Sequence, residues 1–76
     1  MARRRASDPI GRIGRVTGRL GPDELGEVTL PFDGGTQAYL ARAVEAEAVL
    51  KVGTRVLIVD FDPPLTVYVT EYRGVV

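Results

Sequence analysis

Residues 53–70 constrain the fold more than any other part of the chain. They read Gly-Thr-Arg-Val-Leu-Ile-Val-Asp-Phe-Asp-Pro-Pro-Leu-Thr-Val-Tyr-Val-Thr. Two runs rich in β-branched residues flank Asp62-Pro63-Pro64. Proline lacks an N–H and has a fixed φ, so neither a helix interior nor a central strand passes through a Pro-Pro pair. The stretch predicts two strands pinched together at a rigid corner, Arg55 to Phe61 and Leu65 to Tyr72. In the second, Leu65, Val67 and Val69 are expected to face in, and Thr66, Tyr68 and Thr70 out.

The period of two recurs upstream. Gly11 to Leu20, entered through Asp8-Pro9, places Gly14, Val16, Gly18 and Leu20 on one face. Ile13, Arg15, Thr17 and Arg19 fall on the other. Glycines inside a strand weaken it; their usual reason is sharp coiling or close backbone approach at a barrel corner. After a turn at Gly21-Pro22-Asp23-Glu24, Leu25 to Phe32 sets Val28, Leu30 and Phe32 opposite Glu27, Thr29 and Pro31. Pro31 cannot donate to a ladder, so the strand ends there or lies at an edge.

Asp33-Gly34-Gly35 is a hairpin signal and demands a strand behind it. That strand is Thr36 to about Glu45, with Ala38, Leu40 and Val44 alternating with Tyr39, Ala41 and Ala43. Residues 38–50 also contain strong helix formers, so a helix is the competing expectation. A short turn or half-helix at residues 46–50 and a tight turn at Lys51-Val52-Gly53-Thr54 then lead into the fourth strand.

Five short strands in 76 residues predict an all-β domain. The architecture expected is a small five-stranded barrel of the oligonucleotide/oligosaccharide-binding (OB) type, with an SH3-like barrel as rival. A chain this short buries only about 60% of its extended surface, so its core must be compact. The predicted core is Val16, Leu20, Val28, Leu30, Val56, Ile58, Val67 and Val69. Residues 9–76 are read as the barrel and residues 1–8 as a basic, flexible arm.

The chain has no cysteine and no histidine. That excludes disulfides and zinc sites built on thiolates or imidazoles. It also removes the usual partners of a catalytic nucleophile. Ser7 lies in the arm, and Lys51 precedes a turn glycine. Glu45 and Glu47, read as sharing a strand face, and Asp60 and Asp62, at a strand end, could in principle do acid–base work or hold a cation. The plainer reading is a solvated strand end and a pair of turn-setting aspartates. Gly34-Gly35 lacks the Gly-Lys-Ser/Thr of a phosphate loop. No cofactor and no enzymatic activity are expected. No apolar run approaches the roughly 18 residues of a membrane-spanning helix, and no apolar stretch follows the first arginines as in a secretory signal.

The formal net charge is zero, but its distribution is lopsided. Residues 1–19 hold six arginines against Asp8, a balance of +5; residues 20–76 hold four basic residues against nine acids, a balance of −5. A basic arm on an acidic body points to an anionic partner, a membrane surface or phosphates. Arg3, Arg4, Arg5, Arg12, Arg15 and Arg19 are the candidate contacts. A solvated terminus is the alternative. OB barrels also bind single-stranded nucleic acid through a basic groove with aromatic platforms. Arg15 and Arg19 on the first strand, with Tyr39, Tyr68 and Tyr72, could serve. An acidic body repels phosphates, and strands two and three show no basic–aromatic alternation, so this is the second reading.

The features taken in order match a known pattern. They are Gly11-Arg12-Ile13-Gly14-Arg15-Val16, then Gly26-Glu27-Val28, then Tyr39-Leu40-Ala41. Val49-Leu50-Lys51-Val52-Gly53-Thr54-Arg55-Val56 follows, and then a valine-rich last strand. Over about residues 9–70 the chain resembles the C-terminal soluble domain of NfeD-like membrane proteins. It departs from that pattern at Asp62-Pro63-Pro64, where a glycine-containing turn is expected. The resemblance implies an OB barrel attached to membrane helices outside this chain. Arginine clusters beside a membrane helix lie on the cytoplasmic side, so the Arg3-Arg4-Arg5 cluster sets the expectation that the barrel is on the cytoplasmic face. The resemblance also implies a non-catalytic interaction module working with stomatin- or flotillin-type partners in membrane organisation or quality control. Long members of the family add a ClpP-type serine protease domain; nothing here matches one.

Overall fold

The structure, a computed structural model, describes residues 8–32 and 34–74. It holds five strands: β1 (Ile13–Gly18), β2 (Gly26–Phe32), β3 (Gly35–Ala43), β4 (Arg55–Asp62) and β5 (Thr66–Glu71). They close into a barrel in the order β1-β2-β3-β5-β4, with β4 pairing back onto β1. All the pairings are antiparallel except β3–β5. Residues 44–54 carry the chain from the end of β3 to the far side of β1, so β4 and β5 close the remaining gap as a hairpin across Pro63-Pro64. This is the OB arrangement, as expected.

The helix considered for residues 38–50 does not form. β3 pairs with β2 from Phe32↔Gly35 to Gly26↔Ala41, and with β5 from Leu40↔Thr66 to Ala43↔Val69. Helix propensity differs by only a few tenths of a kcal/mol per residue for most residues. Ladders on both sides of the strand outweigh it. The chain then turns, with the Ala48 N–H donating to the Glu45 carbonyl at 3.1 Å.

All eight predicted core side chains are fully buried, and Tyr39, Ala41 and Leu50 join them. Partners in an antiparallel register share a face. Val28 points in, so its partner Tyr39 points in as well. The phase of β3 is thereby set against Leu40, which is 43% exposed although it is the larger apolar residue beside Ala41. Ala41 lies between Gly26 on β2 and Val67 on β5. A small side chain suits the interior of so narrow a barrel. Leu50 closes one end through reciprocal backbone hydrogen bonds with Leu20, both 3.0 Å.

One inward assignment is corrected. Leu65 is 44% exposed, because β5 begins only at Thr66 and Leu65 still belongs to the turn after the prolines. Phe32 is only half-buried, since β2 has run past its last β1 partner pair at Arg15↔Thr29. Pro31 lies in the same overhang, and this explains how β2 tolerates it. The expected bend in β1 appears as a register shift between Val16 and Gly18. A Cβ at Gly14 would lie 2.8 Å from Val28 Cγ1, so its glycine serves close packing inside the barrel.

Candidate interaction surface

The structure sorts the six candidate arginines into different circumstances. Arg3, Arg4 and Arg5 lie outside the described residues. Arg12 is engaged: its Nη2 donates to the Pro31 carbonyl at 2.7 Å, and its guanidinium sits 5.6 Å from the centre of the Phe32 ring. It covers the overhang of β2. Arg19 pairs with Glu24 at 3.1 Å, both side chains exposed. Exposed pairs contribute about 0–1 kcal/mol, so this one leaves Arg19 free to exchange partners.

Arg15 differs from both. Among the described residues it has no hydrogen-bond or ion-pair partner. It points outward from β1, directly opposite Arg55 of β4. The Arg55 guanidinium lies 5.9 Å from the centre of the Tyr72 ring and has no acidic partner among the described residues. Like charges directly opposite one another destabilise an antiparallel pair. Sequence reading did not single out Arg55. Its strand phase was legible, but its partner on β1 depends on how the barrel closes.

Beside this pair the exterior of β1, β2 and β4, with Thr36 of β3, forms a depression of about 380 Å³. Its apolar lining comes from Ile13, Leu30 and Pro31; its polar lining is Arg15, Arg55 and the threonines 17, 29 and 36. Thr17 Oγ1 donates to Glu27 Oε1 at 2.7 Å and lies 2.9 Å from Thr29 Oγ1.

The carboxylate pairs do not form sites. Glu45 and Glu47 lie beyond the end of β3 and share no strand face, contrary to expectation. Glu45 accepts from Thr70 Oγ1 at 2.8 Å instead. Asp60 accepts from the Phe61 N–H at 2.8 Å, next to the register shift in β4, and Asp62 ends that strand. Among the described residues no three acidic side chains gather as metal ligands. Lys51 is exposed, and its carbonyl closes the turn by accepting from the Thr54 N–H at 3.0 Å. Of the tyrosines considered as stacking platforms, Tyr39 is in the core, edge-on to Phe61 with centroids 5.9 Å apart. Tyr68 and Tyr72 are half-buried.

The closed strand order and the parallel β3–β5 pair define an OB-type barrel domain. Within that class the chain belongs to the NfeD C-terminal domain family, whose model matches residues 13–70. It is similar to the solution structure of the soluble domain of the NfeD protein YuaF from Bacillus subtilis. The two are 31% identical with a TM-score of 0.73, over 86% of this chain and 75% of that one. It is also similar to the C-terminal domain of stomatin operon partner protein 1510-C from Pyrococcus horikoshii. Here identity is 28% and the TM-score 0.71, over 95% of this chain and all (100%) of that one. No curated protein matches it.

Proposed function

We propose that the chain is a non-catalytic docking domain of an NfeD-like membrane protein and that it acts on a stomatin- or flotillin-type partner. The observation that carries this reading is family membership joined to a neighbour named as a stomatin operon partner. The Arg15–Arg55 face supports it, because an unneutralised charged surface kept on a small domain suits recognition. Burial of Tyr39 removes one of three stacking platforms and weighs against nucleic-acid binding. The test is retention of the stomatin- or flotillin-type protein of the same organism on the immobilised chain. Retention is the expected result; its absence removes the reading.

The same proposal assigns residues 1–8 to a basic arm near an anionic cytoplasmic leaflet, with membrane segments outside this chain. Each basic residue near such a surface contributes about 1 kcal/mol. Deleting residues 1–8 removes Arg3, Arg4 and Arg5 along with Asp8. Co-sedimentation with phosphatidylserine vesicles is expected to fall by roughly tenfold or more at low salt. The difference should fade as salt shortens the screening length to about 8 Å and below. Equal binding by the intact and shortened chains refutes the arm's role.

A further inference from the structure

We infer that the groove beside Arg15 and Arg55 is a docking site for an extended peptide segment of a partner protein, anchored by a carboxylate side chain. The inference rests on the docking-domain reading and names the chemistry of its contact.

Charge complementarity argues for the anchor. Two outward arginines face each other across β1 and β4, with no acid on either among the described residues. One carboxylate between them relieves the opposition and accepts from both guanidinium forks. Forked, charge-assisted bonds of this kind are the strong ones. The Tyr72 ring beneath Arg55 holds one fork in place without neutralising it.

The polarity of the remaining lining argues for a peptide. Thr17 donates its hydroxyl hydrogen to Glu27, so the short contact between the two threonines requires Thr29 to donate to Thr17. Both hydroxyl hydrogens are thus spent in the direction of Glu27. What remains toward the groove is lone pairs, which accept. The site therefore offers donors from Arg15 and Arg55 and, beside them on β1 and β2, the acceptor lone pairs of Thr17 and Thr29. A peptide carries both a carboxylate to meet the first and backbone N–H groups to meet the second. A phosphodiester backbone offers acceptors throughout and leaves the Thr17 and Thr29 lone pairs unmet. The apolar lining from Ile13 and Pro31 suits aliphatic side chains flanking the acid. At about 380 Å³ the depression falls within the usual range for binding clefts.

The test uses the full chain, labelled with nitrogen-15, and a capped peptide of alternating valine and glutamate. The counterpart peptide has glutamine in place of glutamate. Expected are shifts of the Arg15, Thr17, Thr29 and Thr36 amides and of the Arg15 and Arg55 guanidinium Nε signals. Affinity should fall at least tenfold with the glutamine peptide, and at least tenfold in Arg15→Gln and in Arg55→Gln. Arg42→Gln, on β3 opposite Tyr68, should leave it unchanged. Arg15→Gln should not lower the melting temperature, because it removes a like-charge opposition. Arg55→Gln removes the same opposition and also the Tyr72 contact, so its melting temperature should change little. The site is overturned if the acidic peptide causes no shifts, shifts other residues, or binds both variants as well as the parent. It is equally overturned if these variants lose binding to phosphatidylserine vesicles or to oligothymidylate while the peptide never binds. Partner retention separates the two levels of the argument. Retention unchanged in the Arg15→Gln/Arg55→Gln double variant overturns the groove and leaves the docking reading standing. No retention by the parent chain removes the docking reading itself.

Discussion

Replacing Leu30 with alanine is expected to unfold this domain. Leu30 is fully buried on β2, in the one core shared by all five strands. Removing its branched end leaves a cavity that a closed barrel cannot collapse around, because every strand is held by two neighbours. Buried leucine-to-alanine changes cost about 2–5 kcal/mol. A domain of this size without disulfides has no more than about 5 kcal/mol to lose. Thermal and urea melts should show the cooperative transition lost, or displaced to where much of the chain is unfolded at room temperature. Ile58→Ala, on β4, should behave alike. Leu40→Ala is the internal contrast: it is the same chemical change on the outward face of β3, and surface changes usually stay within about 0.5 kcal/mol. Equal melting temperatures for the two leucine variants would show that the strand phases are wrong.

The second large effect is expected at Gly26, at the start of β2. A Cβ there would lie 2.4 Å from the Gly18 carbonyl oxygen, 2.7 Å from that of Arg19 and 2.6 Å from Leu20 Cδ1. Two of these neighbours are backbone and cannot swing aside. Gly26→Ala therefore has to push the end of β1 away from β2. It also displaces Leu20, whose hydrogen bonds to Leu50 close that end of the barrel. Overpacking of a dense core costs about 1–3 kcal/mol and sometimes more; rigid neighbours put this site at the upper end. Loss of most of the melting cooperativity, with collapsed amide dispersion around Leu20 and Leu50, is the expected signature. Gly35→Ala is the control. Its Cβ would meet only the Phe32 carbonyl oxygen, at 3.9 Å, and its φ is not among the positive ones. A Gly26→Ala variant as stable as Gly35→Ala would mean that β1 and β2 do not approach as described.

Local residues were enough for much of the fold because strand signals are local. Alternation assigned Val16, Val28, Leu30, Val56, Ile58, Val67 and Val69 to the inside, since side chains two apart share a face whatever the strand pairs with. Asp33-Gly34-Gly35 forced a hairpin and so a strand where composition alone allowed a helix. Asp62-Pro63-Pro64 turned β4 back on β5. Leu65 was placed wrongly because alternation cannot say where a turn stops and a strand starts. The face of β3 was left open because both of its alternating sets are apolar; only its register with Val28 chose Tyr39 and Ala41.

The candidate site was far less legible. Charge counting found a basic first quarter but could not tell its members apart. Their differences lie in partners distant along the chain: Arg12 meets Pro31, Arg19 meets Glu24 and Arg15 meets Arg55. What the sequence by itself determined is therefore the number of strands, where the chain reverses and most of the buried face, all set by residues within a few positions of one another. The tertiary structure alone decided the closure of β4 onto β1. With it came the two arginines it leaves facing each other beside a groove, while the close approach of β1 to β2 decided the glycine at position 26. These depend on register between segments remote in the chain, and no local pattern encodes that.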